Sequence, residues 1–326
     1  MSVILTFIQQ AIVQGITILF GATGEIMTEK SGNLNLGIPG IMYMGGVSGL
    51  MGAYLYENST DNPSVAAGVV ISCLACALAS FVGGLIYTFL TVSLRANQNV
   101  VGLALTTFGT GFGNFFGGSL SKMAGGVGQI SVATTASGFQ ATIPGLSRIP
   151  VLGDLLFSYG FLTYVALVVA GICTYILTKT RAGLHLIAVG ESPATADAAG
   201  INVTKYKYTA TLSGAVIAGF GGLYFVMEYL GGTWQNNQIG DRGWLAVALV
   251  ILALWNPAKA IYGSLIFGGL YILYLYIPGL GRAGHELIKM TPFVVTIIVL
   301  IFTSRRNKPE NQPPASLGTS YFREER

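Results

Sequence analysis

Eight side-chain amides lie in or beside stretches otherwise apolar enough for lipid: Asn33, Asn35, Asn97, Gln98, Asn114, Gln235, Asn236 and Asn237. Polar groups at membrane depth are costly unless they meet a partner or face a cavity. An amide offers donors and acceptors without charge. A pathway lined by amides therefore suits a neutral, hydrogen-bonding solute and not a proton relay, which needs Asp, Glu or His in mid-span. The same groups also suit interhelical hydrogen bonding or helix capping, and spacing alone does not separate the two uses. Trp234 and Trp244 fit an outer aromatic belt, although a ring beside amides is also what a ring-bearing solute would stack on. Asp241-Arg242 reads as a surface or interface pair.

No catalytic set of side chains appears in the sequence. A G-x-x-x-x-G-K-[ST] phosphate loop is absent, so nucleotide hydrolysis by this chain is not expected. GTGFGNFFGG at 109–118 mimics a glycine-rich nucleotide loop but sits in a hydrophobic run with no strand before it. Gly109, Gly113 and Gly117 recur every four residues and predict one small helix face for close packing, as do Ala215–Gly219 and Ala218–Gly222. Cys73, Cys76 and Cys173 lie in apolar stretches and read as small hydrophobes. His185 and His285 have no ligand-type neighbours, so neither a metal nor a cofactor is expected in this chain.

A second kind of chemistry, mechanical coupling, is suggested by a polar island at 181–207, RAGLHLIAVGESPATADAAGINVTKYK. Ser192 suits an N-cap, Pro193 the first helical position and Gly200 the residue past the end, which predicts a helix of about two turns. Ala194, Thr195, Ala196, Ala198 and Ala199 give it small faces, and Asp197 is its one charge. A short capped helix between spans suits docking into a groove of another protein; a solvated connecting loop is the alternative.

The elements that position these groups follow from composition. Of 326 residues, 52% are hydrophobic and 9% charged, against roughly a quarter charged in soluble domains. That predicts an all-α polytopic membrane protein. Apolar runs at 3–24, 36–56, 64–92, 99–117, 157–178, 208–230, 243–257, 260–278 and 291–304 suggest about nine crossings (8–10). The glycine-rich 99–117 run reads as partly re-entrant, and 243–257 is short for a bilayer. No Lys or Arg precedes Lys30, so the first run is expected to stay as a span. Placing 179–207 and the tail inside puts twelve Lys and Arg inside and five outside, an orientation favoured by the positive-inside rule. The amino terminus is then outside and the carboxyl terminus cytoplasmic. The longest outer segment, 118–156, contains Ile143-Pro144 and Ile149-Pro150 and reads as a surface loop. Residues 1–304 form the transmembrane domain, with 179–207 as its cytoplasmic coupling loop. Residues 305–326, charged and Pro-rich, read as a disordered cytoplasmic tail. SGNLNLGIPGIMYMGGVSGLMG at 31–52 and TWQNNQIGDRGWLAVALVILALW at 233–255 share an order of amides, glycines and apolar span. Their opposite directions fit an inverted repeat, with the pathway between the halves.

EIMTEKSGNLNLGIPGIMYMGG (25–46) and GLHLIAVGESPATADAAGINV (183–203) resemble bacterial ABC importer permeases for nucleosides. SGAVIAGFGGLYF (213–225) and GDRGWLAVALVILALWNPAKAIYGSLIFGGL (240–270) are similar to the same group, so the likeness covers most of 20–275. The group extends to carriers of ribose-type sugars and branched-chain amino acids. One departure is Pro39, which stands where that pattern often has Glu or Gln. The resemblance implies a type II-like importer fold in the inner membrane. It also implies two homologous permease chains, ATPase subunits that use ATP and Mg, and an external substrate-binding lipoprotein; nucleic acid is not among the partners. It makes Ser192, Pro193, Ala194, Thr195, Asp197, Ala198 and Gly200 the coupling helix seated on the ATPase. An ion-coupled secondary carrier is the alternative, for which Glu25, Glu228 and Asp241 are the acids nearest to the spans.

Overall fold

The computed structural model describes residues 3–123, 130–142, 152–306 and 312–323. Their helices are α1 (Val3–Glu29), α2 (Ile38–Ser59), α3 (Val65–Thr88), α4 (Gln98–Met123), α5 (Ala133–Phe139), α6 (Leu152–Leu156), α7 (Phe161–Lys179), α8 (Arg181–Glu191), α9 (Pro193–Ala198), α10 (Val203–Leu223), α11 (Arg242–Leu252), α12 (Pro257–Ile272), α13 (Arg282–Lys289) and α14 (Thr291–Arg306). A π-helical turn prolongs α3 over Phe89–Ser93 and α10 over Tyr224–Tyr229. The one β contact among the described residues is an isolated antiparallel bridge between Ser131 and Thr233. The all-α expectation holds. Ile143-Pro144 and Ile149-Pro150 lie outside the described residues.

Six segments are both long and apolar enough to cross a membrane: Val3–Glu29, Val65–Ser93, Phe161–Lys179, Val203–Tyr229, Pro257–Tyr276 and Arg282–Phe302. Of the other three expected crossings, two are the long helices α2 and α4, with 22 and 26 residues. They are less apolar because glycines and polar groups take the place of large side chains; α2 is buried along most of its length. The third, 243–257, ends as a helix at Leu252, and its eleven residues rise only about 17 Å, too little to cross. The 99–117 run is not re-entrant, since α4 is unbroken from Gln98 to Met123.

Close helix approach explains the glycine content. Gly24 of α1 lies against Gly214 and Ala218 of α10, Gly222 of α10 against Met42 of α2, and Gly109 of α4 against Gly40 of α2. A Cβ at Gly24, Gly222 or Gly109 would strike a facing backbone carbonyl. Small residues let membrane helices gain van der Waals contact where no water is expelled. The predicted small faces of α4 and α10 are therefore packing faces. Large apolar side chains such as Leu74, Leu78, Val168, Ile172 and Ile297 instead point outward, as a lipid-facing surface requires.

With α1 as a ruler, two chain breaks fall at membrane depth. Ile38, Met42 and Ala246 surround Gly21, which lies eight residues, about 12 Å, before the end of α1. Arg242 reaches Gln14, fifteen residues or about 22 Å from that end. Trp255 donates to Glu29 at the end itself. Thus α11 runs from mid-depth toward the Glu29 end. From the level of Gly21, α2 runs the other way, Gly45 and Gly46 meeting Gly219 and Gly222. The starts of α2 and α11 meet where Gly243 packs on Pro39, whose Cα is 2.5 Å from the place of a Gly243 Cβ. The two segments of the sequence echo, 31–52 and 233–255, therefore run in opposite directions and touch at the first turns of their helices.

Candidate substrate passage and coupling face

Irregular backbone at membrane depth persists only where protein or a cavity satisfies its polar groups. In the first break, the Asn35 N–H donates to Glu25 Oε1 over 2.9 Å, and Asn35 Oδ1 accepts the Gly37 N–H over 2.9 Å. The Leu34 N–H donates to Gln98 Oε1 (2.7 Å), and the Leu34 carbonyl accepts the Tyr87 hydroxyl (2.6 Å). Asn33 Nδ2 donates to Thr211 Oγ1 over 3.0 Å. Asn33 Oδ1 and Asn35 Nδ2 are left without a hydrogen-bond partner among the described residues. Asn33, Asn35 and Gln98 thus hold the break shut and are buried.

The second break, 230–241, is tied across the bundle. The Gly240 N–H donates to the Tyr43 hydroxyl over 3.0 Å. Asn114 Nδ2 donates to Asn237 Oδ1 (2.7 Å), and the Asn237 N–H donates back to Asn114 Oδ1 (2.9 Å). Asn237 and Gly240 turn through φ of +59° and +56°, a region that glycine and asparagine tolerate best. Arg242 does not form the expected surface pair with Asp241. Its Nε and Nη2 donate to Gln14 Oε1 at 3.0 and 2.9 Å, and Nη1 donates to the Ile239 carbonyl at 3.1 Å. The guanidinium centre lies 4.2 Å from the Phe225 ring and 4.8 Å from that of Tyr271. A buried cation is held here by an amide, the carbonyls of Ile239 and Gln238, and two ring faces. It fixes the start of α11.

The predicted passage residues therefore separate into two sets. Asn33, Asn35 and Gln98, with Asn97, sit at the Glu29 end, where Asn97 caps α4 by accepting the Val100 N–H over 3.1 Å. Asn114 lies higher and half-buried on α4, and Asn236 and Asn237 are exposed on the second break. Trp234 is buried against Gly117 and edge-on to Tyr43, with ring centres 6.3 Å apart; it is packing, not an open stacking surface. Trp244 is the accessible ring. With Asp241 it lines a cleft of about 600 Å³ between α11 and α14. Val247, Ile251 and Leu300 are shared with a second cleft of about 330 Å³ that reaches Leu34 and Leu36. A furrow thus follows the half-buried stripe of α11 from one break to the other. The sequence signal for it, Trp244 and Val247 three residues apart on a helix face, is indistinguishable from packing without knowledge of α14.

At the Glu29 end the segment expected to be a coupling loop folds as α8 and α9. Ser192 Oγ accepts the Thr195 N–H (3.4 Å), Pro193 opens α9, and Gly200 turns out at φ +83°. The helix is six residues, shorter than two full turns. Ala196 packs inward on Val189 and Val203, leaving Ala194, Thr195, Ala198 and Ala199 exposed. Asp197 is turned toward the tail: the Tyr321 hydroxyl donates to its Oδ2 over 2.8 Å, and Arg323 Nε lies 3.2 Å from the same oxygen. The tail is not free over 312–323. Ser316 donates through N–H and Oγ to the Gly190 carbonyl (3.0 and 2.5 Å), and Gly318 N–H to the Gly32 carbonyl (3.2 Å).

A multi-pass helical bundle, broken at mid-depth and carrying a capped small-faced helix at one end, defines a membrane permease. The chain belongs to the family described as branched-chain amino acid transport system / permease component, which it matches over residues 7–302. It is 32% identical to a putative glucose ABC transporter permease protein of Haloferax volcanii, over 96% of this chain and 97% of that one. It is 33% identical to the nucleoside ABC transporter permease protein NupC of Lactococcus lactis, over 87% of each chain. Identity to the guanosine ABC transporter permease protein NupQ of Bacillus subtilis is 29%, over 90% of each. The nucleoside-permease resemblance read from the sequence is borne out at the level of the family and its relatives, and the chain is a transporter subunit.

Proposed function

We propose that this chain is the membrane subunit of an ATP-driven importer that moves nucleosides inward, with 179–207 and the carboxyl terminus cytoplasmic and the amino terminus outside. The observation that carries this reading is the meeting of two oppositely directed helix starts at mid-depth, beside a furrow lined by Trp244, with the amides of Asn114, Asn236 and Asn237 outside that lining, on α4 and the second break. A nucleoside has a flat base for the ring and neutral hydroxyls for the amides. The names of two relatives support the same solute class. Lys30, Arg95, α9 and 312–323 gather at one end, in keeping with a positive inner side.

Separate ATPase subunits, a second homologous permease chain and an external binding lipoprotein complete the machine. Closure of the ATPases pulls on the exposed face of α9, Ala194, Thr195 and Ala198, and α8 and α10 carry the movement to the breaks. Ala198→Trp fills the docking face and abolishes uptake while the subunits still assemble; normal uptake by that variant defeats the coupling role. Uptake of labelled nucleosides in cells lacking only this gene, competed with ribose, glucose and leucine, tests the solute. A simple sugar is the second reading, favoured by the Haloferax relative; it is adopted if sugar, and not nucleoside, competes.

A further inference from the structure

A cavity larger than either cleft of the furrow lies elsewhere among the described residues. About 710 Å³ opens beside α9, walled by the start of α10, the turn after α3 and the tail. Among the described residues its charged lining is unbalanced: Arg95, Lys205, Lys207 and Arg323 against the acid Asp197. Asp197 is already engaged by Tyr321 and Arg323, and the Arg95 guanidinium lies 4.7 Å from the Phe322 ring centre. Lys207 is the unusual member. It is only 3% exposed, it lines the cavity, and it has no hydrogen-bond or ion-pair partner among the described residues. A buried ammonium without an anion is costly.

The start of the 21-residue α10 lines the same space through Asn202, Val203 and Thr204. Asn202 Oδ1 caps only the Lys205 N–H, at 2.9 Å. The Val203 and Thr204 N–H groups have no intrahelical acceptor, and a helix amino terminus favours anions. Two independent features, an unpartnered lysine that is buried except toward the cavity and an open helix start, thus face one basic cavity.

We propose that this cavity is a phosphoryl-binding site, in which a phosphate group is held by Lys207, the first turn of α10 and Arg95, with Lys205 at the rim. The phosphate is carried either by the headgroup of an anionic lipid or by a soluble phosphate compound. The site is separate from the solute passage and stands whichever solute is carried. Because α9 and the tail form its walls, its occupancy bears on the coupling helix.

The test uses the full-length chain in neutral detergent and an amine-reactive probe, with modification of each lysine read by mass spectrometry. Lys207 modification should slow about tenfold with ligand bound, while exposed Lys179 is unchanged. Protection by inorganic phosphate without lipid identifies a soluble ligand. Protection only after reconstitution with phosphatidylglycerol, and not with phosphatidylcholine alone, identifies a headgroup. Equal Lys207 rates under all these conditions overturn the proposal. As a second measurement, bound phosphate or retained phosphatidylglycerol should fall about tenfold in Lys207→Gln and be kept in Lys207→Arg. Unchanged retention in Lys207→Gln also overturns it.

Discussion

The Tyr321 hydroxyl donates to the Asp197 carboxylate over 2.8 Å, joining the last described residues to α9 across 124 positions of sequence. Asp197 also meets Arg323, whose side chain is 74% exposed, so the tyrosine is the better-shielded of the two contacts. Tyr321→Phe should remove a hydrogen bond to a charged group worth about 1.5 kcal/mol. Amide exchange at Ser316 and Thr319 should then quicken about tenfold, with the spans unaffected. Unchanged exchange would mean that the backbone bonds to Gly190 and Gly32 alone hold the segment.

Gln14 supplies the acceptor for two guanidinium N–H groups of Arg242. Gln14→Leu leaves that buried cation with carbonyls and rings only, and should lower stability by about 2–3 kcal/mol. Thermal unfolding in detergent reads the loss. Arg242→Lys should also destabilise, because a point charge cannot bridge Gln14 and the Ile239 carbonyl as a fork does.

Two glycines on α4 give opposite expectations. A Cβ at Gly109 collides with the backbone of Gly40, whereas one at Gly111 meets nothing within 4 Å. Gly109→Ala should cost about 1–3 kcal/mol through overpacking, and Gly111→Ala should be neutral or slightly stabilising. Folded yield and melting temperature of the paired variants decide it.

The two tryptophans also separate. Trp234→Ala empties a packed site and should cost about 3–5 kcal/mol of stability. Trp244→Ala should leave the melting temperature nearly unchanged and reduce nucleoside uptake about tenfold through loss of a stacking surface. Equal effects of both variants on stability would contradict the assignment of roles.

Sequence periodicity and composition were enough for the helical membrane class. Every long span must bury its own backbone hydrogen bonds and show apolar side chains to lipid, and both demands are local. The caps of α9 were equally local: Ser192, Pro193 and Gly200 each act within one turn. What spacing could not supply was the partner of each polar group. For Asn33 and Gln98 spacing left a passage and an interhelical bond equally open, and only packing brings Thr211 and the Leu34 N–H to them as partners. Arg242 reads as one half of a pair with Asp241 until Gln14, 228 positions away, claims it. The tail likewise has no apolar face to announce an ordered contact, and only the folded positions of Gly190, Gly32 and Asp197 give 312–323 somewhere to bind. An amide or a guanidinium carries the same capacity for hydrogen bonds in a passage, a cap or a core; which one it serves is decided by the helix that tertiary packing brings against it.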